Sequence, residues 1–386
     1  MRGQEHLALE PMEEAAKRAP EAPSVLVDLG NQRSAAWDRK GAEEAFRRAL
    51  RVDPQHPSAY VALASLYEHD NQPDALQRLA IEARESGIDQ ETVSLVEAFA
   101  LRRAKEWDRA LACAEASTDR HDPIRRAHLI GEIRDRLGDS TGAFSMFEEM
   151  NRLVSEHPIR PLAMADHYWK AVEGSRNSLT SSWFANWTET VPVEKDERSS
   201  PVFLVGFPRS GTTLLDTMLL GHPSVQVIEE RPALIEVEMK IGGFEGLPSL
   251  SRTQIRDGRK QYWQEAAKYV DLRSDSMLVD KSPFYLNKTA TAYRLFPDTR
   301  FIFALRHPMD VVLSCFITNF RPNPGTCNFL NLRRTAAAQL RQAMDALRTG
   351  CSELRARKES LEQVLAHRSY TTDTVKRLFA ELEKGK

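Results

Sequence analysis

Residues 201–213 read PVFLVGFPRSGTT, and the fold of the C-terminal half of this 386-residue chain follows from that stretch. Pro201 to Val205 form a short apolar run of strand type. Gly206 and Gly211 then bound a turn, and an apolar helical stretch from Leu214 to Leu220 is closed by Gly221, His222 and Pro223. Strand, glycine-bounded turn and helix in that order make a phosphate-binding loop. The glycines let backbone N–H groups converge on one anion, and the positive end of the helix dipole points at the same place. The spacing is that of a nucleoside triphosphatase loop, yet Thr212 stands where lysine is usual and the cation, Arg209, lies inside the loop. A kinase or ATPase uses that lysine on the β- and γ-phosphates and a following Ser or Thr on magnesium. A loop with an internal arginine suits a donor with one 5′-phosphoanhydride and no terminal phosphate.

Three more apolar runs follow. Val225–Ile228 ends at Glu229 and Glu230; the run from Met277 ends in Asp280, Lys281, Ser282 and Pro283; Arg300–Leu305 leads into Arg306 and, eight positions on, Ser314. Ligands of parallel α/β sheets bind at the C-terminal edge of the strands, where Glu230, Lys281 and Arg306 would then fall. A guanidinium fork reads a phosphate dianion through two bonds, and Ser314 adds a hydroxyl from the next helix.

The loop and the Arg306/Ser314 pair together resemble the nucleotide signatures of sulfotransferases, over residues 201 to 332. The resemblance implies that Arg209, Ser210, Gly211, Thr212 and Thr213 hold the 5′-phosphosulfate of 3′-phosphoadenosine 5′-phosphosulfate (PAPS), and that Arg306 and Ser314 hold its 3′-phosphate. Glu230, 21 positions after Arg209, falls where the family has its general base, while Glu229 fills a position that is often glycine. Lys281 matches the family lysine near the transferring group and would, with Arg209, neutralise charge on the leaving phosphate oxygen. The catalytic set is thus Glu230, Lys281 and Arg209, and no metal is expected because no Walker-B acid is recognisable. The residues alone also permit blander roles: Glu229 and Glu230 as exposed acids pairing with Arg231, and Lys281 as a solvated ammonium beside Asp280. The implied reaction is sulfuryl transfer to a hydroxyl of a protein tyrosine, a carbohydrate or a small molecule. Two rivals stand beside it: a phosphate-loop kinase or phosphotransferase, and a helical scaffold carrying an inactive sulfotransferase-like domain.

Upstream, the chain repeats itself. Gly30 is followed by Ala42, Phe46, Ala49 and Pro54 at offsets 12, 16, 19 and 24, and Gly131 by Ala143, Phe147 and Met150 at the first three of these. Ala64 with Tyr67, and Ala98 with Ala110 and Ala114, continue the series, so anchors 30, 64, 98 and 131 lie 34, 34 and 33 residues apart. This period and order resemble the tetratricopeptide (TPR) repeat, in which small residues let two helices approach and an aromatic ring fills the gap. A helical bundle with chance spacing is the alternative. The whole chain resembles bacterial tetratricopeptide-repeat sulfotransferases, relatives of tyrosylprotein sulfotransferase, which places a protein or peptide presented by the array among the acceptors left open.

The expected architecture is an all-α TPR-like helical repeat array followed by an α/β domain with a P-loop-like parallel sheet. Its parts are a polar, partly helical leader (1–22), the repeats (23–158), a connecting helix and linker (159–198) with its boundary in Pro192–Ser200, the nucleotide-binding core (199–331) and a helical tail (332–386). In the tail, one helix is expected from Leu332 to Ala366, broken near Gly350, and a short one over Thr374–Lys384. Here the resemblance stops: no apolar strand follows Leu330, so either the tail replaces the family's next strand or the chain is truncated, with a sheet edge left open. A net charge of −2 gives no bulk pull toward nucleic acid or an anionic membrane. The first twenty residues lack the apolar core of a secretory signal, and no run of about 18 apolar residues occurs. Four scattered cysteines (Cys113, Cys315, Cys327, Cys351) argue against a disulfide framework or zinc site and fit a reducing cytoplasm.

Overall fold

Proline and aspartate set the rhythm of the N-terminal half. Helices Pro23–Ala35, Pro57–His69, Pro73–Glu85 and Pro123–Arg136 open on a proline, whose missing N–H would have no partner in a first turn. Asp38, Asp89, Asp122 and Asp139 cap helices Arg39–Val52, Gln90–Arg103, Pro123–Arg136 and Ser140–Ser155, each accepting from the backbone N–H three residues on. A cap of this kind contributes about 1 kcal/mol. The computed structural model describes residues 5–339 apart from Trp37, Asp119, His121, Asn186, 188–190 and 194–197. The middle of the expected linker and the tail beyond 339 lie outside the described residues. Every element that builds the site belongs to the unit that ends at Ala336.

With Trp107–Ala116, these helices pack as consecutive pairs between residues 23 and 155. The anchors of the 34-residue spacing are where helices touch. A Cβ on Gly30 would lie 2.3 Å from Phe46 Cε1, and one on Gly131 would lie 2.8 Å from Phe147 Cε1. Ala64, Ala98, Ala110 and Ala114 are wholly buried. The stretch expected as a leader holds the helix Glu5–Arg18, which packs on Pro23–Ala35 and buries Ala16 in the array's core. Helix Pro161–Ser178 follows the last pair.

Four five-residue strands form the second half: β1 (Val202–Gly206), β2 (Val225–Glu229), β3 (Met277–Lys281) and β4 (Arg300–Ala304). All pairings are parallel, in the order β2-β3-β1-β4. β1 is buried at every position, as a central strand covered on both faces must be. Phe203, Ile228, Tyr262, Tyr285 and Phe296 fill one face; Val202, Leu204 and Val279, with Leu215 and Leu219 of the helix Thr212–Leu220, fill the other. Each large apolar side chain buried this way contributes about 1.5–3 kcal/mol. The register pairs Gly206 with Ala304 and Glu229 with Lys281, so the strands end together and their last residues share one edge.

Array and sheet meet at a buried polar contact. Asn151 Nδ2, on the last paired helix, donates to Phe316 O at 2.8 Å, and Phe144 stacks on the Phe316 ring with centroids 5.5 Å apart. Phe316 ends the helix Pro308–Phe316, which carries Ser314. Two buried arginines hold the irregular segments: Arg259 donates to the carbonyls of Val191 and Pro192, and Arg294 to those of Leu247 and Leu250.

Candidate active site

The phosphate loop is shaped by what its backbone can adopt. A Cβ on Gly206 would come within 2.6 Å of Ser210 Oγ and 2.9 Å of Ala304 O, so the close turn off β1 needs glycine there. Gly211 stands at φ 96° as the residue before the helix Thr212–Leu220, and Arg209 is held in the same left-handed region at φ 67°. For arginine that conformation costs about 1–2 kcal/mol, a strain found where a loop must present a side chain or its backbone in one particular way. Gly211 supplies no side-chain cap to the helix, and the buried Ser210 Oγ has no hydrogen-bond partner among the described residues. Open helix N–H groups, a buried hydroxyl without a partner and the dipole's positive end make a cradle suited to an anion.

Arg209, Arg306 and Ser314 come together at this loop. Arg209 Nε donates to Ser314 Oγ at 3.0 Å, and Arg306 Nη1 donates to Arg209 O at 3.4 Å. Cys315 Sγ lies 3.4 Å from Pro208 O, fastening the helix to the loop's other side. Arg306 also faces Asp310 at 3.7 Å in an exposed pair that contributes little.

A second cluster occupies the ends of β2 and β3. Lys281 is 0% exposed, and its Nζ lies 2.5 Å from Glu229 Oε1, 3.3 Å from Glu230 Oε1, 3.1 Å from Asp216 Oδ2 and 3.2 Å from Thr213 Oγ1. Burial pulls the ammonium's pKa down, but Glu229, Glu230 and Asp216 outweigh it and the net direction is upward. Glu230 sits at φ 49° immediately after β2, and its N–H donates to Lys281 O at 2.6 Å. That left-handed turn ends the strand and brings the Glu230 carboxylate to the same ammonium as that of Glu229. Thr213, on the first turn of the helix, joins this cluster to the loop.

Lys281 is therefore not a solvated lysine beside Asp280. Neighbours on a strand point to opposite faces, and Asp280 points into the aromatic core, where Tyr262 donates its hydroxyl to Oδ2 at 2.9 Å. Burial pushes the Asp280 carboxyl up to about 8, and the Tyr262 hydrogen bond offsets this only in part. Glu229 and Glu230 reach Lys281, while the Arg231 guanidinium lies over the Tyr269 ring at 5.1 Å. Thr212 is buried, whereas Thr213 is exposed and faces Lys281 and Glu229. Asp216 was not among the residues expected from sequence. One acid in the run TTLLDTMLL, four positions after the phosphate-loop threonine, was the available signal. Among the described residues no group of three or more His, Cys, Asp or Glu is arranged to hold a metal ion, and no helix is long and apolar enough to cross a membrane.

Residues 201–364 match a family model described as the sulfotransferase family. An uncharacterized protein of Aquifex aeolicus (strain VF5) is 29% identical over 213 residues, which are 52% of this chain and 27% of that protein. The membrane-associated sulfotransferase kil1 of Dictyostelium discoideum is 29% identical over 128 residues, 32% of this chain and 24% of its own. Nodulation protein NoeE of Sinorhizobium fredii (strain NBRC 101917 / NGR234) is 26% identical over 129 residues, 29% of this chain and 30% of its own. The chain thus spans between 24% and 30% of the length of these relatives. The family match and the relative named as a sulfotransferase support a sulfotransferase family for the sheet domain.

Proposed function

We propose that the chain transfers a sulfuryl group from PAPS to a hydroxyl-bearing acceptor. The observation that carries this reading is the convergence of Arg209, Arg306 and Ser314 beside a glycine-bounded loop. Two guanidinium groups and an anion-cradling helix start offer phosphate contacts at two points, which suits a nucleotide phosphorylated at both 5′ and 3′ positions.

The donor supplies an activated sulfur whose bridging bond to the 5′-phosphate can break. Ser210, Gly211, Thr212 and Thr213 hold the 5′ end, with Ser210 Oγ providing a buried hydroxyl that lacks a protein partner. Arg306 and Ser314 hold the 3′-phosphate. Glu230 takes the acceptor's hydroxyl proton as its oxygen bonds to sulfur, while Lys281 and Arg209 stabilise the negative charge that grows on the departing phosphate oxygen. Positioning and electrostatics supply most of the rate, as in phosphoryl transfer.

We read the paired helices at 23–158 as tetratricopeptide-like repeats and 199–331 as the nucleotide-binding core. The 34-residue spacing and the Gly30–Phe46 and Gly131–Phe147 contacts support the repeat reading. The Asn151–Phe316 bond ties the array to the Ser314 helix, which favours a protein or peptide acceptor delivered by the array.

The test is a paired measurement on the full chain and on Glu230→Gln. Mass spectrometry follows the gain of one SO3 on tyrosine peptides, oligosaccharides and phenols supplied with PAPS, and calorimetry follows binding of adenosine 3′,5′-bisphosphate. The variant keeps binding and loses turnover by about 100-fold or more. Stabilisation by ATP with magnesium and not by the bisphosphate would replace this reading with a phosphotransferase.

A further inference from the structure

Four oxygens surround an ammonium that has three N–H bonds. Thr213 Oγ1, Glu229 Oε1 and Glu230 Oε1 accept hydrogen bonds from Lys281 Nζ, and Asp216 Oδ2 is the fourth, at 3.1 Å. The three protons are thus committed. Asp216 Oδ2 is buried without a hydrogen bond of good geometry, facing the ammonium as an ion-pair partner only.

The carboxylates differ in their freedom to leave. Glu229 and Glu230 are 53% and 26% exposed at the open edge of the sheet, whereas Asp216 is 4% exposed on the helix that follows the phosphate loop. That helix is packed on the sheet through Leu215 and Leu219. Any step in which Glu230 turns to a substrate proton, or Glu229 gives way to an anion at Thr213, frees an N–H of Lys281. Rotation about the Cε–Nζ bond then delivers it to Asp216.

We infer that Asp216 is the positioning residue of this site, the standing counter-ion that keeps the Lys281 ammonium charged and in place when Glu229 and Glu230 engage substrate. Its part in sulfuryl transfer rests on the function proposed above; its hold on Lys281 does not. A lysine with no exposure cannot stay charged beside departing carboxylates unless one partner remains, because an unpaired buried ammonium is strongly penalised. The charged groups facing Nζ are Asp216 from the helix and Glu229 and Glu230 from the end of β2, with Thr213 as the neutral fourth partner; Asp280, adjacent on β3, points to the opposite face. Asp216 meets Lys281 through Oδ2 and the Thr217 hydroxyl through Oδ1, so its effect on the site passes through Lys281.

The experiment is a pH titration of the lysine side chains in the full chain by 13C-lysine NMR, with Lys281→Arg identifying the resonance. In Asp216→Asn the Lys281 midpoint falls by about one pH unit or more, a tenfold loss of proton affinity, and Asp216→Glu restores most of it. Glu229→Gln/Glu230→Gln, which leaves Asp216 intact, keeps Lys281 charged at neutral pH. An unchanged midpoint in Asp216→Asn overturns the inference. So does a drop in the double Gln variant as large as that in Asp216→Asn, a comparison in which Asp216→Ser replaces Asp216→Asn should the latter fail to fold. Turnover provides a separate readout: in Asp216→Asn the alkaline limb of the kcat profile moves to lower pH while adenosine 3′,5′-bisphosphate binding below pH 8 is retained. A shifted Lys281 midpoint in a chain that sulfates nothing would leave this inference standing and remove the proposed function.

Discussion

Arg209 Nε and Ser314 Oγ, 105 positions apart in the chain, meet at 3.0 Å across the ends of β1 and β4. The contact is a consequence of sheet order: β4 lies beside β1 in parallel register, so the loop after one strand and the helix after the other begin at the same edge. It also sets the free state of the site, since the loop cation and the helix hydroxyl are bonded to each other and Arg306 is bonded to the loop carbonyl. A bound phosphate must draw both guanidinium groups away from these uncharged acceptors, which it can do by offering them an anionic one.

On the proposed function, Arg306 is expected to carry a large part of the nucleotide affinity. Arg306→Ala weakens adenosine 3′,5′-bisphosphate binding at least about tenfold, the loss of one charge-assisted bond. Arg306→Lys recovers only part of it, because an ammonium cannot reproduce the two-pronged contact of a guanidinium. Calorimetry at fixed ionic strength checks both variants, and an affinity unchanged in Arg306→Ala removes Arg306 from the nucleotide site.

The loop from Gly206 to Thr213 was legible in sequence because its requirements are local: glycine where a Cβ would strike Ser210, glycine at a left-handed helix start, and an apolar strand before it. Arg306 and Ser314 were legible through a motif that places them at the end of an apolar run. The cage around Lys281 was not. Burial of a lysine depends on which strands become neighbours, and β3 lies between β2 and β1 although 47 residues separate Glu229 from Met277 in the chain. Nothing local distinguishes an Asp-Lys pair split across two sheet faces from one lying in solvent, and Asp216 was hidden as a single acid among apolar residues. In the helical half the reverse held. The spacing picks out Gly30 and Gly131, each set against a phenylalanine ring, whereas the partly helical leader expected over 1–22 carries no anchor of that period and holds the helix Glu5–Arg18.

The Gly30–Phe46 contact makes a stability prediction of definite sign. A methyl at Gly30 would sit 2.3 Å from the ring of Phe46, which is itself wholly enclosed, so Gly30→Ala destabilises by about 1–3 kcal/mol despite the better helix propensity of alanine. Gly174→Ala is the control: that glycine lies in the helix Pro161–Ser178 with nothing within 4 Å of the added carbon, and the change stabilises by about 0.5–1 kcal/mol. Phe46→Leu combined with Gly30→Ala recovers part of the loss. Urea unfolding midpoints separate the three cases, and a neutral Gly30→Ala would mean the two helices do not pack through this position.

Asp280 makes the folded state sensitive to pH in the direction opposite to that of a salt-bridged carboxylate. Burial lifts its carboxyl to about 8 in the folded chain, against about 3.9 for an unfolded aspartate. Between these values the folded state keeps a proton that the unfolded state has lost, so stability falls as pH rises, at a slope approaching about 1.4 kcal/mol per pH unit, and levels off above pH 8. Asp280→Asn removes the titration while leaving an acceptor for the Tyr262 hydroxyl. Its stability relative to the unmodified chain therefore grows from pH 5 to pH 8 and is constant beyond, with little difference at pH 4. Denaturant midpoints measured at each pH give the curve. A difference between the two proteins that stays flat from pH 5 to pH 8 would mean that Asp280 is ionised throughout, held so by groups other than Tyr262.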